Sequence, residues 1–393
     1  MKKSLFAIAA VTAFAGAAHA QSSVTVYGLI DAGIAQTNID YAAAGVGQQK
    51  QTSIGGLQSN NGTGTLSGSR LGFRGTEDLG GGNRAGFVLE TAVNFNNGTA
   101  ATTAATMTDS AAAANGSAMF ANTRQAYASL GNSKFGELRI GTQNSLVKDS
   151  GESIDPLAGV TLTGAGSLYQ QGLTTRYSQA ATYQAPTMSG VTARLQTTVD
   201  GTPTNNGAGT AANATPIGNR SSSASLDFTQ GPIKVAGVYE RRTTWYQAAG
   251  TANSMVALGA TGTTASVVPT INYYSVGGSY DFKVVKPAIL YFNQSAEGAA
   301  AASTGKTSGT LLGVTVPVTP AVSLFASYTA GKVTNNSTGV YDTTGMQLVA
   351  NYSLSKRTGV YAAYGQTEWA TENTATTASV KYQQYGVGMR HTF

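Results

Sequence analysis

The stretch Ala85-Gly-Phe87-Val-Leu89-Glu90-Thr91-Ala-Val93-Asn94-Phe95 decides the fold. One parity carries Phe87, Leu89, Val93 and Phe95, and the other carries Gly86, Glu90 and Asn94. Side chains that alternate with period two stand on opposite faces of a β-strand. The pattern returns in Thr344–Tyr352, where Met346, Leu348, Ala350 and Tyr352 oppose Gly345, Gln347 and Asn351. It returns again in Tyr274–Phe282, with Tyr274, Val276, Tyr280 and Phe282 opposite Ser275, Ser279 and Asp281. A soluble β-sandwich shows the same period, so one such segment does not discriminate. Its repetition along the whole chain, at about ten residues per segment, does.

Composition says what covers the apolar face. Only 11% of the residues are charged, against about a quarter in an ordinary soluble domain. A surface that meets lipid rather than water explains the deficit. Lipid admits only helices or closed β-barrels, because every backbone polar group must be paired within the protein. No stretch after Ala20 approaches the ~18 consecutive apolar residues of a spanning helix, so a barrel remains. The chain has no cysteine, which excludes a disulfide framework and thiolate chemistry.

The N-terminus reads as an export signal. Met1-Lys2-Lys3 is a short basic region, Leu5 to Ala15 is apolar and uncharged, and Ala18-His19-Ala20 is an A-x-A processing site. The expectation is a leader over residues 1–20 and a single barrel domain over 21–393. Loss of Lys2 and Lys3 leaves 22 basic against 18 acidic residues, an excess of +4. With no basic cluster or arginine run, that excess does not indicate a nucleic-acid partner.

Connections alternate in length. Short turns are expected at Glu77–Gly82, Gly131–Gly136, Pro186–Gly190, Gln230–Pro232, Lys283–Lys286, Pro317–Pro320 and Leu354–Arg357. Between them lie long polar stretches at Thr37–Gly64, Asn97–Ala121, Gln143–Leu173, Gly201–Arg220 and Trp245–Thr270, with shorter ones near Gly298, Thr334 and Thr371. Short turns at one rim and long loops at the other describe a transmembrane antiparallel β-barrel of about sixteen strands, with both chain ends on the short-turn rim. The last segment, Tyr385 to Phe393, alternates and ends on an aromatic residue suited to the interfacial girdle.

Four blocks carry a resemblance to the general bacterial porins of the neisserial and burkholderial type. Ser22–Gly33 resembles their first strand, and Ser69–Gly82 their second strand and first periplasmic turn. Thr123–Gly131 with Phe135–Gln143 is similar to their fourth and fifth strands, and Gly386–Phe393 to their closing strand. The resemblance implies an all-β, sixteen-stranded outer-membrane barrel, a homotrimer whose third loop folds into the lumen. It also implies recognition by the barrel-assembly machinery through the C-terminal strand, with Tyr385 and Phe393 as the signal.

Parity points Arg70 and Arg74 inward, opposite Leu71 and Phe73. Arg124 opens the fourth strand, Glu137 and Arg139 share the inward face of the fifth, and Arg176, before the sixth, points inward as well. In the family a basic ladder on these strands faces acids on the third loop. The resemblance therefore implies Arg70, Arg74, Arg124 and Arg176 as the basic side of a constriction and Asp149, Glu152 and Asp155 as the acidic side. Asp155-Pro156 is the expected sharp point of that loop. The arginine cluster and the +4 excess lead to an expectation of passive, general diffusion of ions and small hydrophilic solutes with weak anion preference.

Enzymatic readings lack their residues. After processing the one histidine is His391, the third residue from the end, expected at the rim of the last strand next to the turns, a poor place for the imidazole of a Ser-His-Asp hydrolase. Gly80-Gly-Gly82 lacks the Lys-Ser/Thr of a phosphate loop, and no His/Cys cluster or spaced aspartate series supplies a metal site. No cofactor is expected. Two alternatives stay open: a substrate-specific channel, and an adhesive or structural barrel with a narrow lumen.

Overall fold

The computed structural model describes residues 23–41, 48–55, 66–93, 123–157, 174–198, 216–246, 270–297, 305–335, 339–371 and 379–393. The expected leader, part of the first long loop and most of the others lie outside the described residues, as do Asn94 and Phe95 of the opening stretch.

The strands are β1 (Ser23–Tyr41), β2 (Gln49–Gly55), β3 (Arg70–Gly80), β4 (Asn83–Ala92), β5 (Thr123–Asn132), β6 (Gly136–Asn144), β7 (Arg176–Gln184), β8 (Val191–Thr198), β9 (Pro216–Gln230) and β10 (Ile233–Tyr246). They continue as β11 (Thr270–Tyr280), β12 (Lys286–Glu297), β13 (Gly305–Pro317), β14 (Val322–Asn335), β15 (Gly339–Ser353), β16 (Thr358–Thr371) and β17 (Ser379–Thr392). Among the described residues one helix, α1, spans Leu146–Ile154 between β6 and β7.

All strand pairs are antiparallel neighbours, and β1 closes the ring by pairing with β17 from Leu29↔Thr392 to Tyr41↔Val380. On its other edge β1 pairs first with β3 (Ser23–Leu29 against Thr76–Arg70) and then with β2 (Gly33–Ile39 against Gly55–Gln49). β2 and β3 are thus two pieces of one interrupted stave, and the seventeen strands make a sixteen-stave barrel. Closure joins the first strand to the last, so the ring has no terminal strand left open, the condition lipid imposes. The first long connection is consequently shorter than the expected Thr37–Gly64, because Thr37–Tyr41 extends β1 and Gln49–Gly55 is strand.

All seven short turns fall where the sequence places them, between β3/β4, β5/β6, β7/β8, β9/β10, β11/β12, β13/β14 and β15/β16. The β3–β4 turn shows why the residue type matters. Gly80, Gly81 and Gly82 have φ of 80°, 63° and 82°, a left-handed run that side chains resist. Phe393 ends the chain on the same rim, exchanging backbone hydrogen bonds of 3.0 and 3.1 Å with Gly28.

The wall is turned inside out relative to a soluble protein. Phe87, Leu89, Val276, Leu348, Tyr352, Tyr385 and Phe393 are exposed on the outer face, while Glu90, Ser275, Ser279, Gln347 and Gln384 are buried toward the interior. Two apolar patches on the lumen side are covered by chain. Leu146, Val147 and Ile154 of α1 pack on Ala236, Val238, Tyr273, Ala288, Leu290, Phe292 and Leu311 of β10–β13. Leu157, just past α1, and Leu66, just before β3, pack on Val349, Tyr361 and Ala363 of β15 and β16. The described first limb of the third loop, through Leu157, therefore lies inside the barrel, because the inner wall offers it an apolar seat.

Candidate functional site

The loop's geometry follows from its sequence. Ser145 caps α1, its hydroxyl accepting from the Lys148 amide at 3.2 Å. Asp155 closes the other end, donating its amide to the Gly151 carbonyl and accepting from the Leu157 amide at 3.0 Å through its carboxylate. Pro156 after it forbids continuation of the helix. The turn places Pro156 against Gly313 of β13, where a Cβ would meet the proline ring at 2.5 Å, and Ile154 beside Gly277 of β11. Two glycines thus make room for the inserted loop.

Facing this loop, β3, β4, β5 and β7 present a basic wall with one carboxylate in it. Glu90 accepts from Arg124 Nε at 2.6 Å, lies 3.7 Å from Arg70 Nε, and accepts from the Tyr27 hydroxyl at 3.1 Å. Arg176 stands within electrostatic reach of Arg124, Glu90, Glu152 and Arg70, and its Nε and Nη2 find no hydrogen-bond partner among the described residues. The structure thus gathers Arg70, Arg124 and Arg176. Arg176 is the first residue of β7 rather than a residue before it. Arg74 is set apart, four residues and roughly 13 Å further along β3 toward the short-turn rim, over the Tyr27 ring at 5.2 Å.

The three loop acids each have a local partner. Asp149 accepts from Asn144 at 3.0 Å and pairs with Arg194 of β8 at 3.2 Å, and Arg194 also pairs with Asp227 of β9 at 2.7 Å. Glu152 pairs with Lys148 one helical turn earlier at 2.6 Å. Asp155 is buried in the turn at the C-terminus of α1. Burial pushes the Asp149 carboxyl above its ordinary range despite the pull of Arg194 and Lys148, and burial likewise draws the Lys148 ammonium down despite Glu152. Nearer the short-turn rim, Glu137 bridges Arg139 at 3.0 Å and Arg84 at 2.9 Å.

Several contributors were not singled out from the sequence. Glu90 was placed on the polar face without a role. Arg194 and Asp227 sit on adjacent strands whose register a sequence does not announce. Asp31, fully buried, accepts from the Tyr361 hydroxyl at 2.6 Å and the Ser67 amide at 2.9 Å, tying the segment before β3 into the interior. Arg242 holds Thr174, on the return limb of the third loop, and the neighbouring Glu240 accepts from Tyr177 at 2.6 Å. The signal available for Asp31, Glu240 and Arg242 was charge at inward parity.

A closed sixteen-stave barrel with an apolar exterior and an inserted loop opposite a charged wall defines a transmembrane channel of the outer-membrane kind. The pattern of the Gram-negative porin family matches residues 7–374, and the chain belongs to that family. It is 30% identical, over the full length of both chains, to an outer membrane porin protein of Bordetella pertussis. Over 90 residues, 23% of this chain and 22% of the other, it is 51% identical to outer membrane porin protein 32 of Delftia acidovorans. Among solved structures, the anion-selective porin from Comamonas acidovorans superposes with a TM-score of 0.67 at 21% identity, covering 95% of this chain and all of that one. OmpT of Vibrio cholerae superposes with a TM-score of 0.65 at 15% identity, over 95% of this chain and 98% of that one. The protein is therefore an outer-membrane porin, a water-filled channel for passive diffusion of ions and small hydrophilic solutes.

Proposed function

We propose that this porin prefers anions weakly, and that Arg70, Arg124 and Arg176 set that preference at the level of the third loop. The observation that carries the reading is the charge count of the wall: three guanidinium groups gathered around one carboxylate, Glu90. Asp149 and Glu152 are engaged by Arg194 and Lys148, so they oppose the arginines less than three open acids would. A unit charge at ~10 Å acts on a passing ion with ~0.4 kcal/mol in bulk-like water and ~1.7 at an effective dielectric near 20. Such energies bias permeation without trapping the solute. The anion-selective porin from Comamonas acidovorans, similar in fold, supports the reading.

The test is the reversal potential of the refolded protein in a planar bilayer under a salt gradient. Anion preference is expected, reduced in Arg70→Ala plus Arg124→Ala, and clear cation preference of the parent would sink the reading. Steps that saturate with one solute would favour a substrate-specific channel, and folded protein without steps an adhesive barrel.

The assembly we infer is a homotrimer, by analogy with the Vibrio cholerae OmpT solved in a trimer form. In the same reading residues 1–20 are removed on export, leaving 21–393 as the barrel. Tyr385 and Phe393, both exposed on the outer face of β17 and its end, then serve as the signal to the barrel-assembly machinery.

A further inference from the structure

On the outer face of β9 and β10 two arginines stand where lipid is expected. Parity puts Leu226, Val235 and Tyr239, all exposed, on one face with Arg220 and Arg241, which are exposed as well. Their chain neighbours Ser221, Glu240 and Arg242 are buried toward the interior. Tyr239 pairs with Tyr274 of β11, and both rings are exposed, as in the aromatic girdle that marks a membrane interface. Arg241 is the next outward residue beyond Tyr239, on the side of the long loops and roughly 26 Å of strand from Ile233 at the short-turn end. Hydrocarbon gives way to headgroups of the outer leaflet at that level.

Register sets the two arginines side by side. Arg220 pairs with Thr243 and Arg241 with Ser222, so the arginines are diagonal neighbours on one face, an arrangement in which like charges repel. The other outward cations described at this end each have an acid beside them. Lys332 lies 3.8 Å from Asp342. Lys381 stands opposite both Glu368 and Asp40, Lys50 is diagonal to the same Asp40, and Lys306 is diagonal to Glu297. The outward positions paired with Arg220 and Arg241 are Thr243, Ser222 and Asn272, none of them a carboxylate. Arg241 makes no ion pair among the described residues.

We infer that Arg220 and Arg241 form a site for the phosphate of an outer-leaflet lipid. The guanidinium fork matches phosphate oxygens two at a time, and the hydroxyls of Ser222 and Thr243 are further donors on the same face. A phosphate between the two arginines replaces their repulsion with a shared ion pair. The apolar column below, Tyr239, Val235 and Leu226, is the surface along which the acyl chains of the same molecule lie. A free anion uses the arginines but has no use for that column, so the occupant is a lipid. The site faces away from the lumen and is independent of the channel's ion preference.

The test titrates the refolded protein in detergent with diphosphorylated lipid A and counts bound lipid by native mass spectrometry, each variant first shown to be folded by its β-sheet circular dichroism. The parent is expected to retain the lipid, and Arg220→Gln with Arg241→Gln to bind it at least about tenfold more weakly, as for loss of hydrogen bonds between charged groups. Arg241→Lys keeps the charge without the fork and is expected to fall between them. Lys332→Gln removes an outward cation that Asp342 already offsets, and is expected to bind as the parent does. Equal binding by the parent and the double arginine variant overturns the inference. So does a loss in Lys332→Gln as large as in Arg241→Gln, because surface charge of any kind would then suffice. Equal retention of a neutral glycolipid, or displacement of lipid A by millimolar inorganic phosphate, overturns it too, the first by removing the phosphate and the second by removing the lipid.

Discussion

At the scale of single residues, Asp149 ties the inserted loop to Arg194 of β8, and its charge responds to pH. Burial raises its folded-state affinity for a proton above the ordinary carboxylate value. The protonated form is therefore favoured by folding, and the stability it contributes is present below the ordinary range and fades as pH rises through the raised value. Acidification from neutrality protonates Asp149 before ordinary carboxylates and releases Arg194 from one of its two partners, Asp227 keeping the other. The lumen gains positive charge, so anion preference is expected to increase as pH falls toward the acidic range. Asp149→Asn is expected to show the stronger anion preference already at neutral pH and a flatter pH profile. Reversal potentials taken along a pH series for both proteins check this. Identical profiles would remove Asp149 from the account. The wall arginines make a second residue-scale case: Arg70 and Arg124 share Glu90, whereas Arg176 has no ion pair among the described residues. Neutralising Arg176 is expected to reduce anion preference more than neutralising Arg70, and equal losses would show that the pairing does not matter.

At the scale of elements, α1 and its turn show what a sequence can and cannot announce. Strand faces were legible because parity is local: Tyr274, Val276, Tyr280 and Phe282 are exposed outward and Ser275 and Ser279 buried inward, as their alternation requires. The short turns were legible because Gly and Pro punctuate them. Asp155-Pro156 announced a sharp point, but not that the Asp155 carboxylate would be spent on the turn itself, accepting from the Leu157 amide. The Arg194–Asp149 and Arg124–Glu90 pairs were not legible, because each depends on strand register and on where a loop lands, and both are set by packing far apart in sequence. Nor does Gly313 advertise itself. It matters because Pro156 occupies the space a side chain would need. Gly313→Val is therefore expected to push the loop point off the wall, at a cost of about 1–3 kcal/mol for overpacking. The barrel should persist and the single-channel conductance should rise, since the obstruction moves while the staves remain paired. Unchanged conductance in a folded variant would mean that the loop point does not shape the narrowest part of the lumen.

At the scale of the whole molecule, the exposed apolar face makes sense only against lipid. Leu348 lies on β15 four residues above Tyr352, about 10 Å up a tilted strand and well inside a ~25 Å apolar band. It is 45% exposed, flanked by Ala326 and Tyr364 on the neighbouring strands. In a soluble protein a half-exposed leucine changed to a charged residue alters stability by no more than about 0.5 kcal/mol. In a bilayer the same change removes favourable contact with hydrocarbon and places a cation where water cannot reach it. Leu348→Arg is therefore expected to destabilise the barrel by about 2–4 kcal/mol when folding is followed into lipid vesicles over a denaturant series. The inward neighbour Gln347, buried against the lumen side of the same strand, belongs to the other solvent and serves as the reference position. A small effect at Leu348 would mean that this face meets protein or water instead of lipid. The sixteen-stave ring would then have to present that surface to a partner subunit, and the same measurement on any assembled oligomer against the monomer decides between the two.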